Sequence, residues 1–565
     1  MHDVKGATAV FDIQAVNVGL NLELNGANIE QVDAGAIVVG RILSADAARI
    51  GEFELVDAKI DGDLQASQAN ITKTLDLNSA NLRGSLILRD CNCGLIDIDV
   101  TVASVGNAAQ FNNGKFHNLL GFGVRVDNRL EAIGATFNSV DLRDAQVTGA
   151  VDLDDISVAD KIDLSNLNAK GALSIGRSSQ KSAPKIGSFN VSGSTIAGDL
   201  NLDHLTFGAS IYASGSEIGG NLLLHDLFES DTTKPASIDF SGSKVSQSIL
   251  LSPVSINGDI NLSRTVIGNA LWLRPNDQGF TWRPSTNIQL SNTKTTLLMG
   301  ELANWKTSAD TWVSANLTGF SYDEIASVPK HASASTKPGC EGDMYFANVD
   351  CLIAWLSVNK SPISGGQAAG GFNPGAYEQL AATLQRMGRL DDAKDVLFAS
   401  GIRRLQTSAW PNNIFVFITA LTGFGQRPYY LLILLGLLFA LGYIISFWSH
   451  DLCERDRRET FRQELRHWAR SSPRHPLVRL GSVARPAKPL VAGALVFCFC
   501  NGFRRLLYAV DNGLPMGITL VKSHENISHE NNPWVLCFFV IQKGLGYAIF
   551  LIAFAALVQS LIPKT

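Results

Sequence analysis

Ile60-Asp61-Gly62-Asp63-Leu64, Ile71-Thr72-Lys73-Thr74-Leu75 and Leu82-Arg83-Gly84-Ser85-Leu86 repeat one pattern at an eleven-residue step. The step recurs at Val151, Ile162 and Leu173, at Leu200, Ile211 and Leu222, and at Ile249, Ile260 and Leu271. The shared unit reads [Ala/Ser]-x-[Ile/Leu/Val]-x-Gly-[Asp/Asn/Ser]-Leu-x-Leu. Within a unit the apolar and small positions keep even parity, as in Ala58, Ile60, Gly62, Leu64 and Ala66. The next unit restarts at Ala69, so parity breaks once per unit.

Even parity places side chains on one face of a strand, and one break per unit marks a corner. An eleven-residue period also suits a helical supercoil. The Gly, Asn, Asp, Ser and β-branched content argues against long helices here. The expectation is therefore a mainly β chain whose residues 1–300 form a right-handed parallel β-solenoid of eleven-residue units, about two units per turn. Each turn is stable only against its neighbours. The steps Ala27-Asn28-Ile29, Ala69-Asn70-Ile71 and Ala80-Asn81-Leu82 look like pentapeptide-repeat corners, although the period is not strictly five. The pattern runs from about residue 18 to 300. It fades near 100–140, 176–192 and 225–240, where loops are expected.

Residues 301–410 read as a linker with a small α-helical region. Asn316 to Asp323 closes the solenoid, Val349 to Val358 suits a short helix, and Ser364 to Gly371 is a flexible joint. That joint lacks the Gly-Lys-Ser/Thr ending of a phosphate loop. Tyr377, Leu380, Ala381 and Leu384 share one helical face, Gly388 turns the chain, and Ala393, Val396 and Leu397 pack back. The spacing is like one tetratricopeptide unit, which alone has no groove, so a packing role is favoured.

Residues 411–565 read as a membrane module. Tyr429 to Trp448 holds no charge and reaches the length of roughly 20 residues that a bilayer crossing needs, with aromatic residues at both ends. A second crossing is expected over about 534–562, with Lys543 snorkelling. Val491 to Cys500 is short and reads as interfacial. Between the crossings, residues 451–488 carry ten Lys/Arg against five Asp/Glu. Such a segment suits anionic lipid or a cytoplasmic loop.

The whole chain of 565 residues is 46% apolar and 18% charged, with a mean hydropathy of +0.11. This composition excludes disorder. Eight cysteines are too few for a disulfide scaffold. Residues 1–300 hold 22 basic and 33 acidic side chains, which argues against a nucleic-acid partner there. No apolar secretory core follows Lys5, so the expected location is the bacterial inner membrane, multi-pass, with the solenoid cytoplasmic.

Short motifs in the C-terminal half carry a resemblance. They are Leu317-Thr318-Gly319-Phe320-Ser321-Tyr322, then Tyr377-Glu378-Gln379-Leu380-Ala381 with Gly388, Ala393 and Arg403-Arg404. Leu421-Thr422-Gly423-Phe424-Gly425-Gln426-Arg427-Pro428 precedes the first crossing, and Leu507-Tyr508-Ala509-Val510-Asp511-Asn512-Gly513-Leu514-Pro515 the second. From about 316 onward the chain resembles bacterial membrane proteins with pentapeptide-like repeats and a two-helix C-terminal membrane module. Some of these are labelled membrane-associated oxidoreductases. The family usually shows Gly-Tyr-Gly-x-Arg-Pro and Tyr-Ser-Leu-Asp, from which Phe424, Ala509 and Val510 depart mildly. The resemblance implies a membrane location and supplies no catalytic residues.

Chemistry-bearing motifs are few. Cys91-Asn92-Cys93 and Cys498-Phe499-Cys500 read as buried packing residues rather than metal ligands. His524 and His529 are five apart, so a helix would rotate them away from one another. Asp152, Asp154 and Asp155 read as a solvated corner. No cofactor and no catalytic residue is expected. The sequence supports a membrane-anchored binding or scaffolding module with an unknown protein partner on the solenoid. The alternative is a gated homo-oligomeric pore or membrane-perturbing effector, and the third is an oxidoreductase by family label alone.

The membrane-boundary positions Gly423, Gly425, Arg427, Pro428, Tyr508, Asp511 and Pro515 are the candidate site residues. An ionisable group near lipid needs a partner, and Arg427 with Asp511 is the pair at hand. If they pair, Arg427→Asp and Asp511→Arg each lower the yield of assembled protein in detergent, and the double exchange restores it. A double variant no better than either single removes the pairing.

Overall fold

The computed structural model describes residues 9–407 apart from 177–184, 230–235, 253–255, 257, 275–281, 308–310, 328–339, 341–342 and 358–371; beyond 407 it describes isolated positions. Two compact units result, Met1–Ser400 and Gly401–Thr565. The first is a parallel β-solenoid with a short helical end.

One coil shows how the repeat becomes structure. Arg49–Glu54 is a strand of the long wall, Lys59–Ile60 and Leu64–Gln65 are short strands of a second sheet, and Asn70–Asp76 returns to the long wall. Ile50, Phe53, Leu55, Ala58, Ile60, Leu64, Ala66, Ala69 and Ile71 all point inward and are buried. The eleven-residue step is thus half a coil. Leu64 stacks on Leu86, two steps further along the chain, while the intervening Leu75 lies on the opposite wall beside Phe53.

Repeating this coil builds continuous ladders. On the long wall Phe11, Val32, Phe53, Leu75, Ile98, Leu119 and Val140 follow one another in register. The ladder continues through Ile162, Phe189, Ile211, Ile238, Ile260, Ile288 and Ala315. All strand pairs of this ladder are parallel, as a coil that always advances in one direction requires. The stack does not stop at 300: Ser314–Asn316 and Ser321–Ala326 add the last rungs.

Residues 100–140 do not loop out. Lys115–Leu120 and Thr136–Asp141 pair in register with their neighbours, and the short strands between them do the same. Rings replace the expected aliphatic side chains: Phe116 stacks on Phe137 at 5.1 Å and meets Phe111 edge-on at 6.1 Å. Volume is kept while the letters change. The later interruptions are insertions between intact rungs. Ser157 pairs with Lys185 across a longer stretch of chain than separates Thr136 from its partner Ser157. Ile211 likewise pairs with Ile238 across more chain than separates Phe189 from Ile211.

Two corner columns turn the chain with left-handed residues. Ala15, Ala36, Asp57, Ser79 and Val102 form one, and Ala47, Gln68, Asp90, Asn113 and Asp155 belong to the other. The glycine of the sequence unit has a different cause. A β-carbon on Gly62 would fall inside the van der Waals envelope of the Arg41 carbonyl in the preceding coil, and one on Gly149 would meet that of Asn128. At these two positions a bare backbone leaves room for the carbonyl of the preceding coil.

Helices α1 (Val349–Ser357) and α2 (Pro374–Arg386) lie against the last coil, and α3 (Leu390–Thr407) follows α2. Asn373 caps α2 by accepting the Gly375 N–H at 3.1 Å. Tyr377, Leu380, Ala381 and Leu384 are buried, as their shared face required, Ala376 is buried with them, and Gly388 makes the turn at φ 79°. The Tyr322 carbonyl on the last strand accepts from Gln379 Nε2 at 2.6 Å, Arg386 at 3.0 Å and Thr383 Oγ1 at 3.3 Å. Cys351 of α1 is bridged to Cys340.

Replacing a glycine by alanine ordinarily stabilises by about 0.4–1 kcal/mol where the backbone permits it. Gly62→Ala is expected to do the reverse in chemical denaturation, whereas Gly94→Ala, with open space around its β-carbon, is neutral or stabilising. Equal behaviour of the two variants contradicts the close approach of coils.

Candidate functional site

Two features concentrate polar chemistry on the coil stack. The first lies in a corner column where adjacent coils contribute His204 and the pair His225-Asp226. His204 and Asp226 occupy the left-handed region at φ 59° and 51°, which His and Asp enter more readily than most residues. Backbone bonds hold the corners together: the His204 N–H donates to the His225 carbonyl at 2.9 Å, and the His225 N–H to Asp203 Oδ1 at 2.9 Å. The Asp226 N–H donates to Ser252 Oγ at 2.9 Å.

This scaffold brings three donor atoms together. Nδ1 of His204 lies 3.3 Å and Nδ1 of His225 3.5 Å from Asp226 Oδ2. The two rings meet edge-on at 5.8 Å. Asp226 is fully buried, and among the described residues none makes a hydrogen bond to its carboxylate oxygens or to His204 Nδ1. Burial pushes the neighbouring Asp203 carboxyl up, against the pull of the His225 N–H and of His225, His204 and Arg274. Two imidazoles and one carboxylate form a donor set for a divalent transition ion. Among the described residues this is the one group of His, Cys, Asp and Glu with that geometry.

The second feature is a column of carboxylates at the end of the long wall. Asp12, Asp33, Glu54, Asp76 and Asp99 stand in consecutive register. Asp76 and Asp99 accept the N–H of Asn78 and Thr101, at 2.9 and 2.8 Å, which fixes the corner. Stacked like charges repel, and the Glu54 carboxyl is held above its ordinary range by burial, then by Asp33, Glu52 and Asp76. On the exposed face Lys73 bridges Glu52 at 3.2 Å and Glu30 at 3.4 Å across coils.

The sequence candidates fall elsewhere. Gly423, Gly425, Arg427, Pro428, Tyr508, Asp511 and Pro515 lie outside the described residues, as do Cys498, Cys500, His524 and His529. Cys91 and Cys93 are buried, as expected of packing residues, and bonded to each other. The Asp152 corner is half-buried rather than solvated: burial raises both Asp152 and Asp154, and Ser174 Oγ donates to Asp154 Oδ1 at 2.5 Å. Sequence reading missed His204, His225 and Asp226. Their signal is that the two histidines stand one coil length apart, which places them at successive levels of one corner. No known protein family, curated protein or solved structure matches the chain.

A carboxyl held above its ordinary range binds its proton more tightly in the fold than in the unfolded chain. Its contribution therefore favours the fold at low pH and is lost as pH rises through that raised value. Glu54→Gln should raise the thermal midpoint at neutral pH and not well below the ordinary value of about 4.3. The gain should shrink in roughly 1 M salt, where screening acts over about 3 Å. A variant that melts lower at neutral pH contradicts repulsion within the column.

Proposed function

We propose that the chain is a membrane-anchored β-solenoid acting as a binding and scaffolding module at the bacterial inner membrane. The observation that carries it is the carboxylate column Asp12, Asp33, Glu54, Asp76 and Asp99, repeated at one strand spacing of about 4.8 Å on a rigid wall. Regularly spaced anions on a fixed lattice suit a protein partner with a cationic surface, through complementary potential. The coil is right-handed in this proposal, following the twist of strands built from L-residues.

Anchoring rests on the sequence of residues 429–448 and on a few positions within it. Gly436, Leu437, Phe439, Ala440, Leu441, Tyr443 and Ile444 are helical. Leu437, Leu441 and Ile444 recur on one face and are 62%, 47% and 52% exposed, an arrangement that lipid accommodates better than water. Among the described residues no helix is long and apolar enough to cross a membrane. The basic segment 451–488 adds an affinity for anionic lipid.

The Cys340–Cys351 bridge favours a second reading of the side on which the solenoid sits. Disulfides persist in oxidising compartments, and a basic loop belongs in the cytoplasm. Together these support a solenoid outside the cytoplasm rather than inside it. Protease added to intact and to lysed spheroplasts separates the two: digestion of the coils in intact spheroplasts supports the outer location.

Full-length protein should remain with the membrane pellet after alkaline carbonate extraction, and Leu437→Arg with Leu441→Arg should weaken that retention, since a basic residue in mid-membrane costs about 2.5–3.5 kcal/mol. Recovery of the wild-type protein in the supernatant contradicts an integral anchor.

A further inference from the structure

We infer that His204, His225 and Asp226 bind one divalent transition ion of the zinc class, which joins two neighbouring coils at their corner. Nothing in the scaffolding proposal requires this site, and it stands or falls separately.

The first support is an electrostatic imbalance. A carboxylate fully withdrawn from water costs several kcal/mol unless donors or a cation compensate. Asp226 is 0% exposed, and among the described residues no N–H or O–H donates to either oxygen. The atoms that face Oδ2 are two imidazole nitrogens at 3.3 and 3.5 Å, without hydrogen-bond geometry to it. Two imidazole nitrogens and a carboxylate oxygen are thus turned toward a common point, as the ligands of one ion would be.

The second support is the spacing. Zinc bonds of about 2.0–2.1 Å in a tetrahedron put neighbouring ligand atoms about 3.3–3.4 Å apart. Two of the three edges here, 3.3 and 3.5 Å, have that length, and all three ligand atoms lie within 4.8 Å of one another. Closing the third edge takes a small rotation of an imidazole, and the His204 side chain, 35% exposed, has room for it. The ligand atoms themselves are withdrawn from solvent, so an ion enters as the partly exposed His204 ring swings outward.

The third support is preorganisation. His204 belongs to one coil and His225 and Asp226 to the next, yet the two corners are already clamped by the His204 N–H to His225 carbonyl bond and by the His225 N–H to Asp203 bond. Ligand backbones are therefore fixed before an ion arrives, which lowers the ordering cost of binding. The ion stabilises the stack because it binds the assembled corner and not the unfolded chain.

Full-length protein purified in detergent and stripped with a chelator is titrated with Zn2+ alone, and separately with Co2+ for its visible d–d absorption. Wild type should bind one equivalent more than His204→Ala, and Zn2+ should raise its Tm. His204→Ala and Asp226→Asn should each weaken that binding by roughly 100-fold or more and abolish the Co2+ spectrum. His204 is partly exposed, so His204→Ala keeps the test intact even if Asp226→Asn disturbs the corner, which circular dichroism reports. The proposal is overturned if stripped wild type takes up no ion, in which case the trio shares a proton as an ion pair. It is equally overturned if the variants bind Zn2+ as wild type does.

Discussion

Every other property of the coil stack depends on inward apolar side chains landing on their own kind one coil later. Leu64 on Leu86, Val151 on Leu173 and Leu200 on Leu222 are contacts between side chains a full coil apart in sequence and adjacent in space. No coil buries its inner face without the coils beside it, so stability belongs to the stack rather than to any unit. Deleting one large inward side chain such as Phe53 removes contacts on both sides, and such truncations cost about 3–5 kcal/mol in closed cores.

A stack held this way tolerates interruption at corners but not at rungs. The longer connections from Ile211 to Ile238 and from Ser157 to Lys185 leave the ladders in register, because the rungs on either side still pair residue by residue. The same logic demands a cover where the stack ends, since an open edge is a template for further pairing. Helix α2 supplies it by directing Gln379, Thr383 and Arg386 at the Tyr322 carbonyl and by pairing Arg386 with Asp323 at 3.0 Å. The stack also fixes what the surface can present. Any polar residue that recurs at coil spacing becomes a column, and any pair one coil apart becomes a contact, as with Asp33 beside Glu54 and His204 beside His225.

The solenoid was legible because its period is carried by apolar volume at regular steps, and the hairpin because Tyr377, Leu380, Ala381 and Leu384 share a helical face. The stretch 100–140 was misread because Phe111, Phe116 and Phe137 do the work of Leu and Ile, so a pattern of letters fails where a pattern of volume holds. A small corner position also changes chemistry silently. Ala58 and Ala80 become Ser194, Ser216 and Ser243, whose buried hydroxyls donate to Leu164, Val191 and Ala213 carbonyls. The trio His204, His225 and Asp226 escaped notice since local motifs look within one element, whereas a solenoid builds sites across coils. A short-range motif reaches one turn of helix or one strand; this fold reaches a whole coil.

Residues far apart in sequence are stacked at strand spacing along the whole solenoid. Asn92 and Lys185 are both exposed and are linked rung by rung through Lys115, Thr136 and Ser157, four coils in all. Spin labels at these two positions of the full-length protein should give a narrow distance distribution centred near about 20 Å, four spacings of about 4.8 Å. A broad distribution, or one centred well beyond that distance, would contradict the stacked coil.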